Sequence, residues 1–239
     1  MASSHPSRAS SQPGTESGLT AQAALSINIV SDVVCPWCFI GKRRLESALE
    51  LYRERFPQRP EPSVAWWPFQ LSPDIPAEGV DREAYMNGKF GKERIATMHQ
   101  RIEALGRDVG IEFGFDKIRR QPNTLAAHAL IELAGQHGVQ DELAEALFKA
   151  YFVEGRDLSN PDTLRELATK AGLPAAAVEQ SLTEQARQHV QQHEHQARQI
   201  GVQGVPFFIF NDRLAVSGAQ EPATLLDAMI EAEKEPAPA

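Results

Sequence analysis

The hydrophobic period of this chain switches twice, and that switch constrains its fold more than any other feature. Ser26-Ile-Asn-Ile-Val30 alternates apolar and polar residues, the period of a half-buried strand. Leu45, Ala48, Leu49, Tyr52 and Phe56 then recur at helical spacing with charges between them, until Pro57 and Pro60 close the segment. Val64 to Phe69 reads as a second strand, with Pro68 marking its end or an edge position. From Asp81 to Ile200 the pattern is helical almost throughout: Glu83–Leu105 interrupted by Gly88 and Gly91, Thr124–His137, Asp141–Tyr151, Asp162–Ala171 behind Pro161, and a long polar Ala175–Ile200. The strand pattern returns in Pro206-Phe-Phe-Ile-Phe210, a turn at Asn211-Asp212 leads into Arg213–Val216, and Pro222–Ala232 is a last amphipathic helix. This order predicts a small α/β unit over 25–80 and 201–233, split between its second and third strands by an all-helical insertion over 81–200.

Charge narrows the function classes. The 239 residues carry a net charge of -8, and the basic clusters Lys42-Arg43-Arg44 and Arg119-Arg120 are short and set in mixed-sign sequence. That balance argues against a nucleic-acid surface. No apolar run is long enough to cross a bilayer. The segment 1–24 is rich in Ser, Ala, Gln, Pro and Gly without the apolar centre of an export signal, and 234–239 is similar. The expectation is a cytoplasmic protein with disordered ends at 1–24 and 234–239. A single chain shows no face that decides between monomer and homodimer.

The chain has two cysteines, Cys35 and Cys38, with Pro36 and Trp37 between them. A disulfide this local closes almost no loop and stabilises little through chain entropy, so the pair calls for a chemical explanation. A strand leads in and a helix leads out, which puts Cys35 at a helix N-terminus. There, unpaired N–H groups and the helix dipole favour a thiolate, the species that attacks disulfides. Pro36 suits the first helical turn, where its missing N–H is not required. Cys38, one turn on, is placed to resolve a mixed disulfide. Two other readings stay open at this point: a pair of buried small hydrophobic residues, and half of a zinc site completed by histidines. His193 and His195 lie on nearly opposite sides of a helix. His189 and His193 share a face, in a polar run that also reads as a solvated surface.

Five segments, in order, resemble the DsbA family of thioredoxin-fold proteins, and in particular its FrnE-like branch. They are Ser31-Asp32-x-x-Cys35-Pro-Trp-Cys38 with Gly41 following, Pro68-Phe-x-Leu71-x-Pro73, Asn123-Thr124-x-x-Ala127-His128, Gly201-Val-x-Gly-Val-Pro206-Phe and Ser217-Gly-Ala-Gln220. The likeness runs from about Ser26 to Ile230. It implies a thioredoxin-like fold with a helical insertion and the dithiol at the boundary between the two. It also implies a cis Val205–Pro206 bond facing the cysteines, with Pro36, Trp37, Val205 and Pro206 contacting substrate. Under it, His128 begins an inserted helix near the site, where it acts on substrate or thiolate or simply packs.

The function expected is thiol–disulfide exchange with protein or small thiol substrates, Cys35 and Cys38 being catalytic. No cofactor or metal is expected, and glutathione is a candidate redox partner. The chain departs from the strongly oxidising periplasmic relatives, which carry Pro-His between the cysteines. A neutral indole at Trp37 supplies no cation, so a less extreme potential is expected. One rival is a glutathione-dependent isomerase or transferase of the 2-hydroxychromene-2-carboxylate isomerase or kappa-class type, with Trp37, Trp66, Trp67 and Phe69 lining its acceptor pocket. Such relatives often place Ser where Cys35 stands. The other is a non-catalytic redox- or metal-responsive binding protein.

Overall fold

A computed structural model describes residues 24–234. The expected tails at 1–24 and 234–239 lie outside them, apart from Ala24 and Lys234. Strand β1 (Ser26–Ser31) leads through a tight turn into α1 (Pro36–Arg55), which crosses over to β2 (Ser63–Pro68). β1 and β2 are parallel, with Ile29 opposite Trp66. Far along the chain, β5 (Phe207–Phe210) and β6 (Leu214–Ser217) add to the other side of β1, giving the order β2-β1-β5-β6. Both of these pairings are antiparallel. Helix α9 (Pro222–Ala232) packs against α1.

Strand alternation distributes the core over both faces of this sheet. Ile27 and Ile29 of β1, with Phe208 and Phe210 of β5, join the larger cluster that includes α1 and α9. Val30 and Ile209 point the other way and meet Phe69, Ala197 and Val202. Asn211 and Asp212 take positive φ values of 49° and 52°, a conformation Asn and Asp tolerate best among residues with a Cβ, and turn β5 into β6. The β2 edge is closed by a side chain. The Gln140 amide accepts from Trp66 N–H at 2.9 Å and donates to the Trp66 carbonyl at 3.2 Å, as a neighbouring strand would.

The insertion between β2 and β5 holds α2 (Arg82–Phe90), α3 (Lys92–Asp108), α4 (Leu125–Gln136), α5 (Gln140–Phe152), α6 (Pro161–Lys170), α7 (Ala175–Ser181) and α8 (Glu184–Gln199). Two expected helices are each divided. Gly91, at φ 78°, separates α2 from α3. Thr183 begins a new helix by accepting from Ala186 N–H with its hydroxyl, which separates α8 from α7. The insertion is also not purely helical: β3 (Val80–Asp81) pairs antiparallel with β4 (Arg120–Gln121). Two residues are too few to show a period, so this ladder left no trace in the sequence pattern. Among the described residues no helix is long and apolar enough to cross a membrane.

The insertion is fastened to α1 by aromatic and ionic contacts. Phe39 stacks on Phe148 of α5 at 5.1 Å between centroids, and Phe152 and Phe113 close around them. At the rim, Lys42 reaches Asp141 at 2.9 Å and Glu145 at 3.3 Å, and Arg43 pairs with Glu145 and Glu46.

Candidate active site

Cys35 is the N-cap of α1, in extended backbone conformation, and Pro36 occupies the first turn. Its N–H closes a turn onto the Asp32 carbonyl at 2.9 Å, and its own carbonyl accepts from Cys38 N–H at 3.0 Å. The first turn of α1 holds no acidic side chain, and no side chain caps it. Its orphan N–H groups and dipole are therefore left to the sulfur. The two cysteines are free thiols in different surroundings. Cys38 is 1% exposed, and burial together with the adjacent Cys35 pushes its thiol well up, against weaker opposition from Ser31 and the Asp32 backbone. Cys35 is also mostly covered but lines an open cleft.

The segment opposite is the approach to β5. The Val205–Pro206 bond is cis, and the Cys35 thiol reaches the Val205 carbonyl at 3.6 Å. Gly41 makes this approach possible, since a Cβ there would stand 3.0 Å from Pro206 Cγ and 3.2 Å from the Phe208 ring. Other pieces of the segments that carry the family resemblance prove to be ties around the site. Asp32, buried beneath it, accepts from Leu71 N–H at 2.8 Å and Val34 N–H at 3.5 Å. Asn123 donates to the Ile75 carbonyl at 2.7 Å and accepts from Leu125 N–H at 3.0 Å, fastening the loop after β2 to the start of α4.

The cleft has a volume of about 260 Å³. Val34, Cys35, Pro36 and Trp37 form one wall, with Val205 and Leu71 beside them; Arg82, Tyr85, Met86, Lys89 and Phe90 of α2 form another, and His99 of α3 with Phe115 and Gln121 complete it. The β3–β4 ladder fixes this second wall, because it sets Arg82 beside Gln121, whose side-chain carbonyl accepts from the guanidinium. Gln121 in turn accepts from the Tyr151 hydroxyl at 3.1 Å. Lys89 donates to the hydroxyls of Tyr85 and Ser72 at 2.7 and 2.9 Å. His99 stacks on Phe115 at 4.2 Å, and burial, helped by the Arg82 charge, pulls its pKa below the usual imidazole range.

Of the residues singled out in the sequence, Cys35, Pro36, Trp37 and Val205 line the cleft. Pro206 is buried against Gly41 behind them. His128 stands apart. It is 3% exposed, with Nε2 3.5 Å from Asp32 Oδ1, and it lines not the cleft but a small internal void with Trp66 and Phe148. A side chain so enclosed does not touch a substrate in the cleft. The aromatic acceptor pocket is likewise reduced to Trp37. Trp66 packs on Phe148 at 5.9 Å, Trp67 on His193 at 4.9 Å, and Phe69 lies under Arg198 at 4.1 Å. His193 is engaged by Glu132 at 2.7 Å, and His195 by Gln199 at 3.0 Å. Sequence reasoning missed the α2 wall and His99. Their signals, an arginine after a two-residue ladder and a lone histidine in a polar helix, look like solvated surface until the fold brings them together.

Residues 26–230 match the family described as DSBA-like thioredoxin domain. A probable DsbA oxidoreductase from Streptomyces coelicolor is 30% identical, with 90% of this chain and 92% of that one superposed at a TM-score of 0.78. An uncharacterized Bacillus subtilis protein, YwbO, is 26% identical over 195 residues, 81% of this chain and 90% of its own. A 2-hydroxychromene-2-carboxylate isomerase, 17% identical, superposes over 86% of this chain and 95% of its own with a TM-score of 0.64, a likeness of fold alone. The chain belongs to the DSBA-like thioredoxin domain family.

Proposed function

We propose that this protein is a thiol–disulfide oxidoreductase in which Cys35 is the nucleophile and Cys38 the resolving thiol. The observation that carries this reading is the asymmetry of the pair: Cys35 lines the cleft at an uncapped helix N-terminus, while Cys38 is enclosed and held protonated. In the reducing direction the Cys35 thiolate bonds to one sulfur of a substrate disulfide, and the other sulfur leaves with the bonding electrons. Cys38 then gives up its proton and displaces the bound sulfur, which closes the Cys35–Cys38 disulfide. The substrate gains two electrons and the dithiol loses two. The oxidising direction runs the same steps backwards, and the relative potentials of site and thiol pool set the net flow. The dithiol carries the electrons itself, so no bound cofactor is needed, and glutathione is a candidate for the pool. The Val205 carbonyl and the Pro36–Trp37 surface flank the sulfur that a substrate reaches.

The test is an equilibrium titration of the full chain against reduced and oxidised glutathione, read by Trp37 fluorescence and by thiol alkylation. A reversible two-electron transition is expected. If no Cys35–Cys38 disulfide forms at any poise, the exchange reading fails and an isomerase or binding role replaces it.

A further inference from the structure

The cleft around Cys35 is positively charged in a chain whose net charge is -8. Among the described residues, no Asp or Glu lines it, whereas Arg82 and Lys89 do. At the α1–α5 contact, by comparison, the cations are neutralised: Lys42 by Asp141 and Arg43 by Glu145. Arg82 is half-buried, and its side-chain partner is the uncharged amide of Gln121. Lys89 donates to the hydroxyls of Ser72 and Tyr85 and stands over the Tyr85 and Phe90 rings, all uncharged partners. Withdrawing a guanidinium from water beside a neutral partner is unfavourable unless an anion joins it. Its fork of donors matches a carboxylate.

Two further observations describe the rest of the ligand. His99 also lines the cleft, and its Nε2 is enclosed with no hydrogen-bond partner, so the wall holds an unsatisfied polar group beside the cations. The remaining surface is apolar and soft, with Met86, Met98, Phe90 and Ile102. Thioethers of this kind adapt to irregular shapes. The volume of about 260 Å³ lies near the small end of the range for small-molecule sites.

We infer that Arg82 and Lys89 form an anion anchor, and that the partner exchanged at Cys35 is a small thiol or disulfide carrying a carboxylate beside an apolar body. This rests on the exchange reading and names its substrate class. The chemistry is that of the dithiol: the Cys35–sulfur bond forms, the S–S bond of the anionic disulfide breaks, and the departing thiolate takes the electron pair. Closure by Cys38 then releases the second thiol. Arg82 and Lys89 move no electrons; they hold the carboxylate so that the sulfur meets Cys35.

The test uses the reduced full chain and three small disulfides of similar size: dianionic 3,3′-dithiodipropionate, neutral 2-hydroxyethyl disulfide and dicationic cystamine. The readout is the ratio of their second-order rates of Cys35 oxidation, which cancels any change in the thiolate itself. The wild type is expected to favour the anionic disulfide over the neutral one by about tenfold, the scale of one charge-assisted hydrogen bond, and to disfavour the cation. The anionic-to-neutral ratio is expected to fall by about that factor in Arg82→Gln, to fall less in the exposed Lys89→Gln, and to shrink with added salt. A wild-type ratio near one, or a ratio unmoved in both variants, overturns the anchor while leaving exchange intact. If none of the three disulfides oxidises Cys35, the exchange reading falls and the anchor with it. Lys89 lies on the surface, so its variant keeps the test decisive should Arg82→Gln disturb folding.

Discussion

Two of the seams along which the insertion meets the thioredoxin-like unit are built from opposite choices. At the α1–α5 seam Phe39 stacks on Phe148, and the cations Lys42 and Arg43 are locked onto Asp141 and Glu145. At the α2 seam the walls stand apart, and Arg82 and Lys89 face neutral partners. The first seam satisfies every charge internally and closes. The second leaves charge, an unpartnered imidazole nitrogen and apolar surface around the Cys35 thiol.

This contrast can be broken by substitution. Phe148→Ala removes the ring on which Phe39 stacks and is expected to cost about 3–5 kcal/mol in denaturant unfolding, the range for emptying a buried aromatic site. A loss below about 1 kcal/mol would mean that the seam is not welded there. Glu145→Gln is expected to cost about 2 kcal/mol at neutral pH. Burial pushes the Glu145 carboxyl up, but hydrogen bonds from Arg43 and Lys149 and the Lys42 charge outweigh it and hold the pKa at about 2, against 4.5 ordinarily. A depressed folded-state pKa contributes stability that is full above the unfolded value and lost as pH falls toward the folded one. The gap between wild type and variant should therefore be constant above about pH 5 and narrow between 4.5 and 2; a gap that survives at pH 2 would assign it to packing instead. Arg82→Gln, on the open seam, is expected to change unfolding free energy by less than about 1 kcal/mol, because it gives up one hydrogen bond to a neutral amide and breaks no ion pair of the fold. A loss as large as that of Glu145→Gln would erase the distinction between the seams.

How much of this was legible in sequence follows from how each feature is encoded. The sheet and its insertion were, because Ile27, Ile29, Phe208 and Phe210 write a period of two and α4 and α5 a period of 3.6. Of the two helix breaks, the one at Gly91 was legible as an interrupting glycine, whereas the one at Thr183 was not placed, since it acts through a cap rather than through hydrophobic pattern. The β3–β4 ladder was invisible for want of length, and with it went the Arg82–Gln121 wall. The dithiol was legible because chemistry, spacing and flanks coincide in eight residues. His128 was placed near the site and lies near it, but enclosed against Asp32. Nearness to a motif does not reveal whether a neighbour opens onto the cleft or is enclosed away from it. The cations that line the cleft stand on α2, some fifty residues after Trp37, where no motif marks them.

The most direct test of the account is mixed-disulfide trapping in the two single-cysteine variants, with intact mass read after exposure to an excess of 2-hydroxyethyl disulfide. Cys38→Ser is predicted to carry one stable adduct per chain, because Cys35 attacks from the cleft and nothing resolves it. Cys35→Ser is predicted to remain unmodified over the same time, because Cys38 is enclosed and protonated. Equal labelling of the two variants, or labelling of Cys35→Ser alone, would contradict the division of roles on which the proposed function stands.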